Sequence, residues 1–219
     1  MSITEENYLK AIFKLSEKDA AAPVNTNAVA AAMQTSAASV TDMLKRLSEK
    51  EYLEYEKYRG VQLTTKGRAL ATDLIRRHRL WEVFLTEKLG FTWDKVHDMA
   101  EELEHINNEE LTERLDHFLG FPRFDPHGDP IPDAEGKWFR QHQVLLSTLQ
   151  TGQKGVITGV DDHSTAFLQY LNHLGLGLGI TITVIQRMEY DNSMIIQTKE
   201  QQMTVSEKVV QHLFVKTGV

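Results

Sequence analysis

His78 and Glu82 stand four residues apart, and His97, Glu101 and His105 repeat that spacing with Glu104 beside them. On an α-helix, residues four apart share a face, so each stretch aligns imidazole and carboxylate donors in a row. Such donors suit a divalent cation, because imidazole is a borderline ligand and carboxylate a hard one. The chain has no cysteine, which excludes disulfides, iron–sulfur clusters and thiolate sites. A metal here must be held by His, Asp, Glu, amides or water. One row such as HDMAEELEH also fits a solvated acidic face; two successive rows favour the metal. A dinuclear site of this kind could activate water, so a metal-dependent hydrolase is the alternative reading. Against it, no Gly-rich phosphate loop or nucleophile motif is present.

Helices must carry these rows. A first helix is expected over about Thr4–Leu15, with Thr4 as N-cap and Tyr8, Leu9, Ile12, Phe13 and Leu15 as its apolar face. After the loop EKDAAAPVN comes a short helix from Asn27 to about Met33, and the polar turn Gln34-Thr35-Ser36. A third helix runs from about Ala37 to Lys50, with Val40, Met43, Leu44 and Leu47 at helical spacing. YLEYEKYRGVQLT alternates apolar and polar residues around Arg59-Gly60 and reads as a β-hairpin. A long helix from near Thr65 then carries His78 and Glu82. This order is that of a winged helix-turn-helix.

The second row falls on a helix expected over Trp93–Asn107, followed by one over about Glu109–Leu119. GFPRFDPHGDPIPDAEG holds four of the five prolines and must be an irregular connector. A helical stretch is expected over Lys137–Leu149. Residues 152–219 are rich in glycine and β-branched residues in alternation, interrupted by a helix over about Ser164–Leu174. They read as a small β-barrel. The fold class is therefore mainly α with a small β domain. The expected boundaries are 1–73 for the winged helix-turn-helix, 74–140 for a helical metal-binding and dimerisation domain, 141–151 for a linker and 152–219 for the barrel.

Of the 219 residues, 41% are hydrophobic and 25% charged, the range of globular chains. No apolar run approaches the roughly 20 residues that span a bilayer, and MSITEENYLK lacks the apolar core of a signal peptide. These features predict a cytoplasmic protein with no membrane partner. The net charge of −7 is unevenly spread. Residues 1–77 hold 12 Lys and Arg against 10 Asp and Glu, a balance of +2; the remainder holds 12 against 21, a balance of −9. DNA affinity depends on the local patch rather than the total. The third helix would enter the major groove, with Ser36, Ala38, Ser39 and Asp42 towards the bases and Lys45 and Arg46 further along. Arg46, and Arg59 at the hairpin tip, suit phosphate contacts. Asp42 could accept from a cytosine amino group or repel wrong sites.

Several stretches together resemble one family. Ala38-Ser39-Val40-Thr41, then KRL, EYLEYEKYRGVQLTTKG and RRHRLWEVFL, are similar to the DNA-binding region of the diphtheria toxin repressor family and its manganese transport regulators. KVHDMAEELEH resembles the family's metal helix and PRFDPHGDPIP its proline-rich connector. The resemblance covers about residues 3–140. The last region is similar in pattern to the Src-homology-3-like, FeoA-like barrel of many members.

The resemblance implies a repressor, not an enzyme, with Mn²⁺ or Fe²⁺ as co-repressor. It implies a homodimer on a palindromic double-stranded DNA operator that controls metal-ion uptake genes. Two metal sites follow from it. One would use His78, Glu82 and His97, with His163 or Asp162 from the last domain. The other would use Glu101, Glu104 and His105 plus a first-helix group, which here is Asn7 where members commonly have Asp or Met. Asp125 and His127 match a pair used by some members. Iron-responsive members place a cysteine at the position of Glu101; a carboxylate is harder and favours Mn²⁺. Part of the apolar surface of residues 80–119 would form the dimer interface. Metal would relieve carboxylate repulsion and thereby favour DNA binding.

Overall fold

The computed structural model describes residues 1–17, 22–56 and 59–218. Residues 18–21 of the expected first loop and 57–58 of the expected hairpin lie outside them. The chain divides into two compact units. The first is Met1–His78, Leu103–Asn108 and Pro132–Lys137; the second is Arg79–Glu102, Glu109–Ile131 and Trp138–Val219.

The first unit contains α1 (Ile3–Ser16), α2 (Thr26–Ala32), α3 (Ala37–Glu49), β1 (Leu53–Glu56), β2 (Gly60–Leu63) and the start of α4 (Thr65–Glu87). Leu9, Ile12, Phe13, Val29, Val40, Leu44, Leu47 and Leu74 are buried, which is the helical spacing of apolar residues turned inwards. β1 and β2 pair antiparallel from Leu53 opposite Leu63 to Glu56 opposite Gly60. Val24 adds a third rung, exchanging both backbone hydrogen bonds with Val61 at 2.8 and 2.9 Å. Gly60 is required there. Its φ is +109°, and a Cβ would lie 2.5 Å from the Val24 carbonyl oxygen. The first helix starts earlier than expected. Ser2, not Thr4, is the N-cap, because Glu5 at the third helical position completes a capping box with it.

The second unit holds the rest of α4, nearly all of α5 (Val96–Leu103), and α6 (Glu109–Leu119). Leu80, Val83, Leu115 and Ile131 form one core between α4, α6 and the connector. A six-stranded antiparallel sheet follows: β3 (Val144–Leu145), β4 (Lys154–Val160), β5 (Thr181–Arg187), β6 (Met194–Gln197), β7 (Gln202–Val205) and β8 (Leu213–Lys216). Its order is β3-β8-β4-β5-β6-β7. α7 (Thr165–Leu174) and α8 (Glu207–Val210) pack on it through Phe167, Leu168, Leu171, Val209 and Val210. The arrangement is Src-homology-3-like, but among the described residues edge strands β3 and β7 do not pair, so the barrel is not closed.

Two expected helices need correction. Residues 137–149 form none: Val144 and Leu145 pair with β8 and a 3₁₀ turn covers Leu146–Thr148. Leu146 and Leu149 are buried in the sheet's core, so strand pairing and burial override a local helical pattern. The helix expected over Trp93–Asn107 is only α5. Before it, Lys95 N–H closes a turn on the Thr92 carbonyl; after it, Glu104 and His105 occupy a turn. Of the expected row, only His97 and Glu101 are helical.

Candidate metal centre and DNA-facing helix

In the second unit, Glu82, Asp125 and His127 bring one ligand atom each to within 4.8 Å of one another, and all three are buried. α4 supplies Glu82, and the proline-rich connector supplies the other two. That connector folds back on itself: Asp125 N–H bonds the Asp129 carbonyl and Ile131 N–H the Arg123 carbonyl. Asp125 Oδ1 accepts from the backbone N–H groups of His127 at 2.8 Å and Asp129 at 3.0 Å. Gly128 (φ +90°) allows the chain to press on β4, where a Cβ would fall 2.1 Å from the Thr158 carbonyl oxygen. Val160 N–H then bonds the His127 carbonyl at 3.0 Å. Asp125 and His127 are thus turn residues and members of the cluster at once.

The two ring nitrogens of His127 differ in their surroundings. Its Nε2 lies 2.8 Å from the Trp93 carbonyl oxygen, an acceptor, so Nε2 carries the hydrogen. Nδ1 is buried without a hydrogen-bond partner and lies 3.6 Å from Glu82 Oε2. A hydrogen bond on one ring nitrogen orients the other towards a metal. This orphaned Nδ1 beside two buried carboxylates fits a divalent ion, which Glu82, Asp125 and His127 would hold.

The local charges strain one another. Burial, Glu82 and Asp129 push Asp125 up to about 7 despite the opposing Arg79 and His127 charges. Burial lowers the pKa of His127, but its contacts with Glu82 and the charge of Asp125 outweigh that and raise it to about 9. Arg79 stands at the rim: its Nε is 3.5 Å from Asp125 Oδ2 and its Nη2 3.0 Å from Asp129 Oδ2, and it also donates to the Pro130 carbonyl. His97 Nδ1 is 3.3 Å from Glu82 Oε1, and its Nε2 is 3.7 Å from Glu101 Oε1. His163 stacks on His127 at 4.8 Å. Its Nε2 faces the Val160 carbonyl at 3.2 Å, and its pKa is lowered, chiefly by burial. Asp162 instead accepts from Ser164 N–H at the start of α7.

The first unit has its own cluster. Glu104 is fully buried. Its Oε2 lies 2.6 Å from His78 Nδ1 and 2.5 Å from Lys10 Nζ, and Arg77 donates to its backbone carbonyl. His105 Nδ1 is 2.6 Å from Glu6 Oε2. The side-chain amide oxygen of Asn7 is buried with no hydrogen-bond partner.

α3 exposes Ser36, Ala38, Ser39, Asp42, Lys45 and Arg46, and the hairpin exposes Arg59. Ser36 caps the helix, accepting from Ser39 N–H. Asp42 and Lys45 stand 3.9 Å apart, and Arg59 pairs with Glu56 at 2.9 Å. Behind α3, the Oε1 of buried Glu5 accepts from Lys50 at 2.6 Å and lies 3.6 Å from Arg46 Nη2.

Three family profiles tile the chain: the iron dependent repressor N-terminal DNA binding domain over residues 1–61, the iron dependent repressor metal binding and dimerisation domain over 64–133, and the FeoA domain over 144–217. A solved manganese-dependent transcriptional repressor in complex with manganese is 32% identical, with 97% of this chain and 99% of that one covered and a TM-score of 0.85. The manganese regulator SloR is 30% identical over the whole of both chains, with a TM-score of 0.77. The chain belongs to the diphtheria toxin repressor family. That family consists of metal-dependent repressors, not enzymes, which leaves the hydrolase alternative without support. The diphtheria toxin repressor of Corynebacterium jeikeium is 37% identical over 60% of this chain and 54% of its own length. The iron-dependent repressor IdeR of Mycobacterium leprae is 35% identical over 59% and 55%. The chain thus spans about half the length of the curated relatives it matches.

Within this family member the expected ligands fall into two groups. Glu82, His97, Glu101, Asp125, His127 and His163 belong to the second unit; Asn7, His78, Glu104 and His105 belong to the first. Two residues escaped the sequence reading. Glu5 was signalled by the Ser-x-x-Glu capping pattern at Ser2. Lys10 was signalled by its place among the apolar residues Tyr8, Leu9, Ile12 and Phe13.

Proposed function

We propose that this chain is a metal-sensing transcriptional repressor that binds DNA through α3 and the β1–β2 hairpin when Mn²⁺, or Fe²⁺, fills the Glu82–Asp125–His127 centre. The observation that carries the reading is the buried His127 Nδ1, which has no hydrogen-bond partner and faces buried Glu82 and Asp125, in a chain that also bears an exposed helix-turn-helix. His97 and His163 stand beside that centre to complete or shield it. A bound divalent ion supplies two positive charges where Glu82, Asp125 and Asp129 otherwise repel one another. Relief of that repulsion favours the ordered connector, and the ordered protein needs less reorganisation to bind DNA. Such linkage is reciprocal and typically worth about 1–3 kcal/mol.

Ser36, Ala38, Ser39 and Asp42 are proposed to face the base edges, with Lys45, Arg46 and Arg59 on phosphates. A homodimer, formed partly through the exposed Leu89, Phe91, Leu111 and Phe118, would place two such helices on a palindromic operator. Among the described residues no helix is long and apolar enough to cross a membrane. A repressor of this kind acts in the cytoplasm on metal-uptake genes. Its carboxylate-rich donor set favours Mn²⁺ by hardness.

The test is fluorescence anisotropy of palindromic promoter fragments at fixed salt with Mn²⁺, anaerobic Fe²⁺, Zn²⁺ or chelator. Tight binding only with metal is expected. Binding indifferent to metal would sink the sensor and leave a DNA-binding protein with structural His and Glu.

A further inference from the structure

Glu104 is fully buried, yet only half satisfied. Both of its cationic or imidazole partners, Lys10 Nζ at 2.5 Å and His78 Nδ1 at 2.6 Å, sit on Oε2. Oε1 has no hydrogen-bond partner and lies 3.9 Å from His105 Nε2. A buried carboxylate that served only as a structural ion pair would normally have both oxygens satisfied, because an orphaned buried acceptor is costly. Lys10 is 5% exposed and projects from the same α1 that buries Tyr8, Leu9, Ile12 and Phe13, so its ammonium is held at Glu104 rather than extended into solvent. One turn earlier on α1, Glu6 binds the other nitrogen of His105 at 2.6 Å. The cluster therefore joins carboxylate and imidazole groups to a lysine ammonium that sits on the Glu104 carboxylate itself and is covalently tied to α1, while Arg77 holds the Glu104 backbone carbonyl.

We propose that Lys10 is a tethered competitor for metal at this cluster: its ammonium holds the Glu104 carboxylate and must leave before that carboxylate can ligate a divalent ion freely. Asn7 sharpens the effect, since a neutral amide brings no charge to offset the lysine. The inference rests on the metal-sensor reading of the chain. In metal-free protein the Lys10–Glu104 contact already fastens α1 to the turn after α5, so the first unit is held together without metal. Lys10 thereby sets how much metal is needed before the first-unit cluster fills.

The test uses full-length protein carrying Glu82→Gln, which disables the second-unit centre, titrated with Mn²⁺ alone and read by electron paramagnetic resonance of free Mn²⁺. Adding Lys10→Gln removes one positive charge within a few ångströms of the ion and is expected to tighten binding at least about tenfold, even with generous screening. Lys10→Arg keeps the charge and is expected to stay within about threefold of the lysine protein by the same reasoning. Unchanged affinity on Lys10→Gln, or equal tightening by both variants, overturns the proposal. Should Lys10→Gln not fold, wild-type protein decides: acylation of Lys10, followed by mass spectrometry of its peptide, should quicken when saturating Mn²⁺ frees the ammonium. An unchanged rate overturns the proposal. If the single Glu82→Gln change still removes a tight Mn²⁺ ion while the lysine variants do nothing, only this inference falls and the sensor reading stands.

Discussion

In the second unit, Arg79 meets Asp125 and Asp129 while His127 lies beside Glu82, and the charges of Glu82 and Asp129, with burial, still leave Asp125 with a pKa of about 7. In the first unit, Glu104 meets a lysine at 2.5 Å and an imidazole at 2.6 Å. Both clusters are buried and both contain histidine, yet one is left electrostatically unfinished and the other is largely closed by its own cation. A set of mutually repelling carboxylates responds strongly to an arriving cation, because the ion removes a standing cost. A compensated set responds weakly, because the ion must displace a contact of similar kind. On the proposed function, sensing falls to the second unit and fastening to the first.

Removing one side of the comparison should give the largest effect. Loss of outer-shell partners alone commonly costs about 10–100-fold in metal affinity, so Glu82→Gln or Asp125→Asn should weaken the tighter Mn²⁺ site by at least about 100-fold, since a ligand itself is lost. Mn²⁺-dependent DNA binding should vanish with it. Equilibrium dialysis and anisotropy read the two effects separately. Retention of tight Mn²⁺ binding in both variants would move sensing away from this centre and break the comparison.

The unfinished charges also predict a pH dependence. A ligand must shed its proton to bind metal. In metal-free protein His127 sheds its Nδ1 proton only near 9 and Asp125 near 7. Both pKa values are raised, so protons compete with metal up to those values, and Mn²⁺ affinity should rise with pH. Each displaced proton contributes up to roughly tenfold per pH unit below its pKa, giving a steep rise below about 7 and a shallower one towards 9. Isotherms at pH 6.5, 7.5 and 8.5 measure this. A flat profile would mean that the centre is not the one being filled.

A third effect tests how the connector presents Asp125 and His127. Gly128→Ala forces a side chain into φ +90° and places Cβ against the Thr158 carbonyl. Strain of this kind costs on the order of 1–3 kcal/mol. Thermal unfolding should shift down by several degrees, with weakened Mn²⁺ binding, because the same turn carries the His127 carbonyl that bonds Val160. Unchanged stability would show that the loop can swing off β4 at no cost.

Much of this was legible in the sequence because periodicity reports burial. The apolar spacing of Val40, Leu44 and Leu47 located α3, and the alternation around Arg59-Gly60 located the hairpin. The candidate site was less legible. His97 and Glu101 share a helix as their spacing requires, but nothing in HDMAEELEH announces that the helix stops at Leu103 and sends Glu104 and His105 to a different unit. Asp125 and His127 stood out only through the family resemblance, since a turn residue beside proline has no periodicity to betray its direction. KWFRQHQVLLSTL failed as a helix because its partner, β8, lies about 70 residues away, and pairing at that distance leaves no local trace.

The smallest expected effect concerns the link between α1 and the DNA-facing helix. Glu5 is buried, and its Oε1 accepts from Lys50 and approaches Arg46, while its Oε2 accepts from Ser2 N–H. The Lys50 hydrogen bond, first, and then Ser2 and Arg46 hold its carboxyl below the usual carboxylate range against the opposing effect of burial. A depressed pKa stabilises the fold above the unfolded-state value and loses that contribution as pH falls through the folded one. Glu5→Gln should therefore cost about 1 kcal/mol or less at neutral pH, given that both cations are largely exposed. Its deficit should shrink as the medium is acidified. The same change frees Lys50 as a further phosphate contact beside Arg46, so the salt dependence of DNA binding should steepen by about one in slope. A slope that stays the same, with the stability loss present, would make Glu5 a helix cap alone. A steeper slope would show that the first unit holds back part of its positive charge through α1, the helix that also carries Lys10.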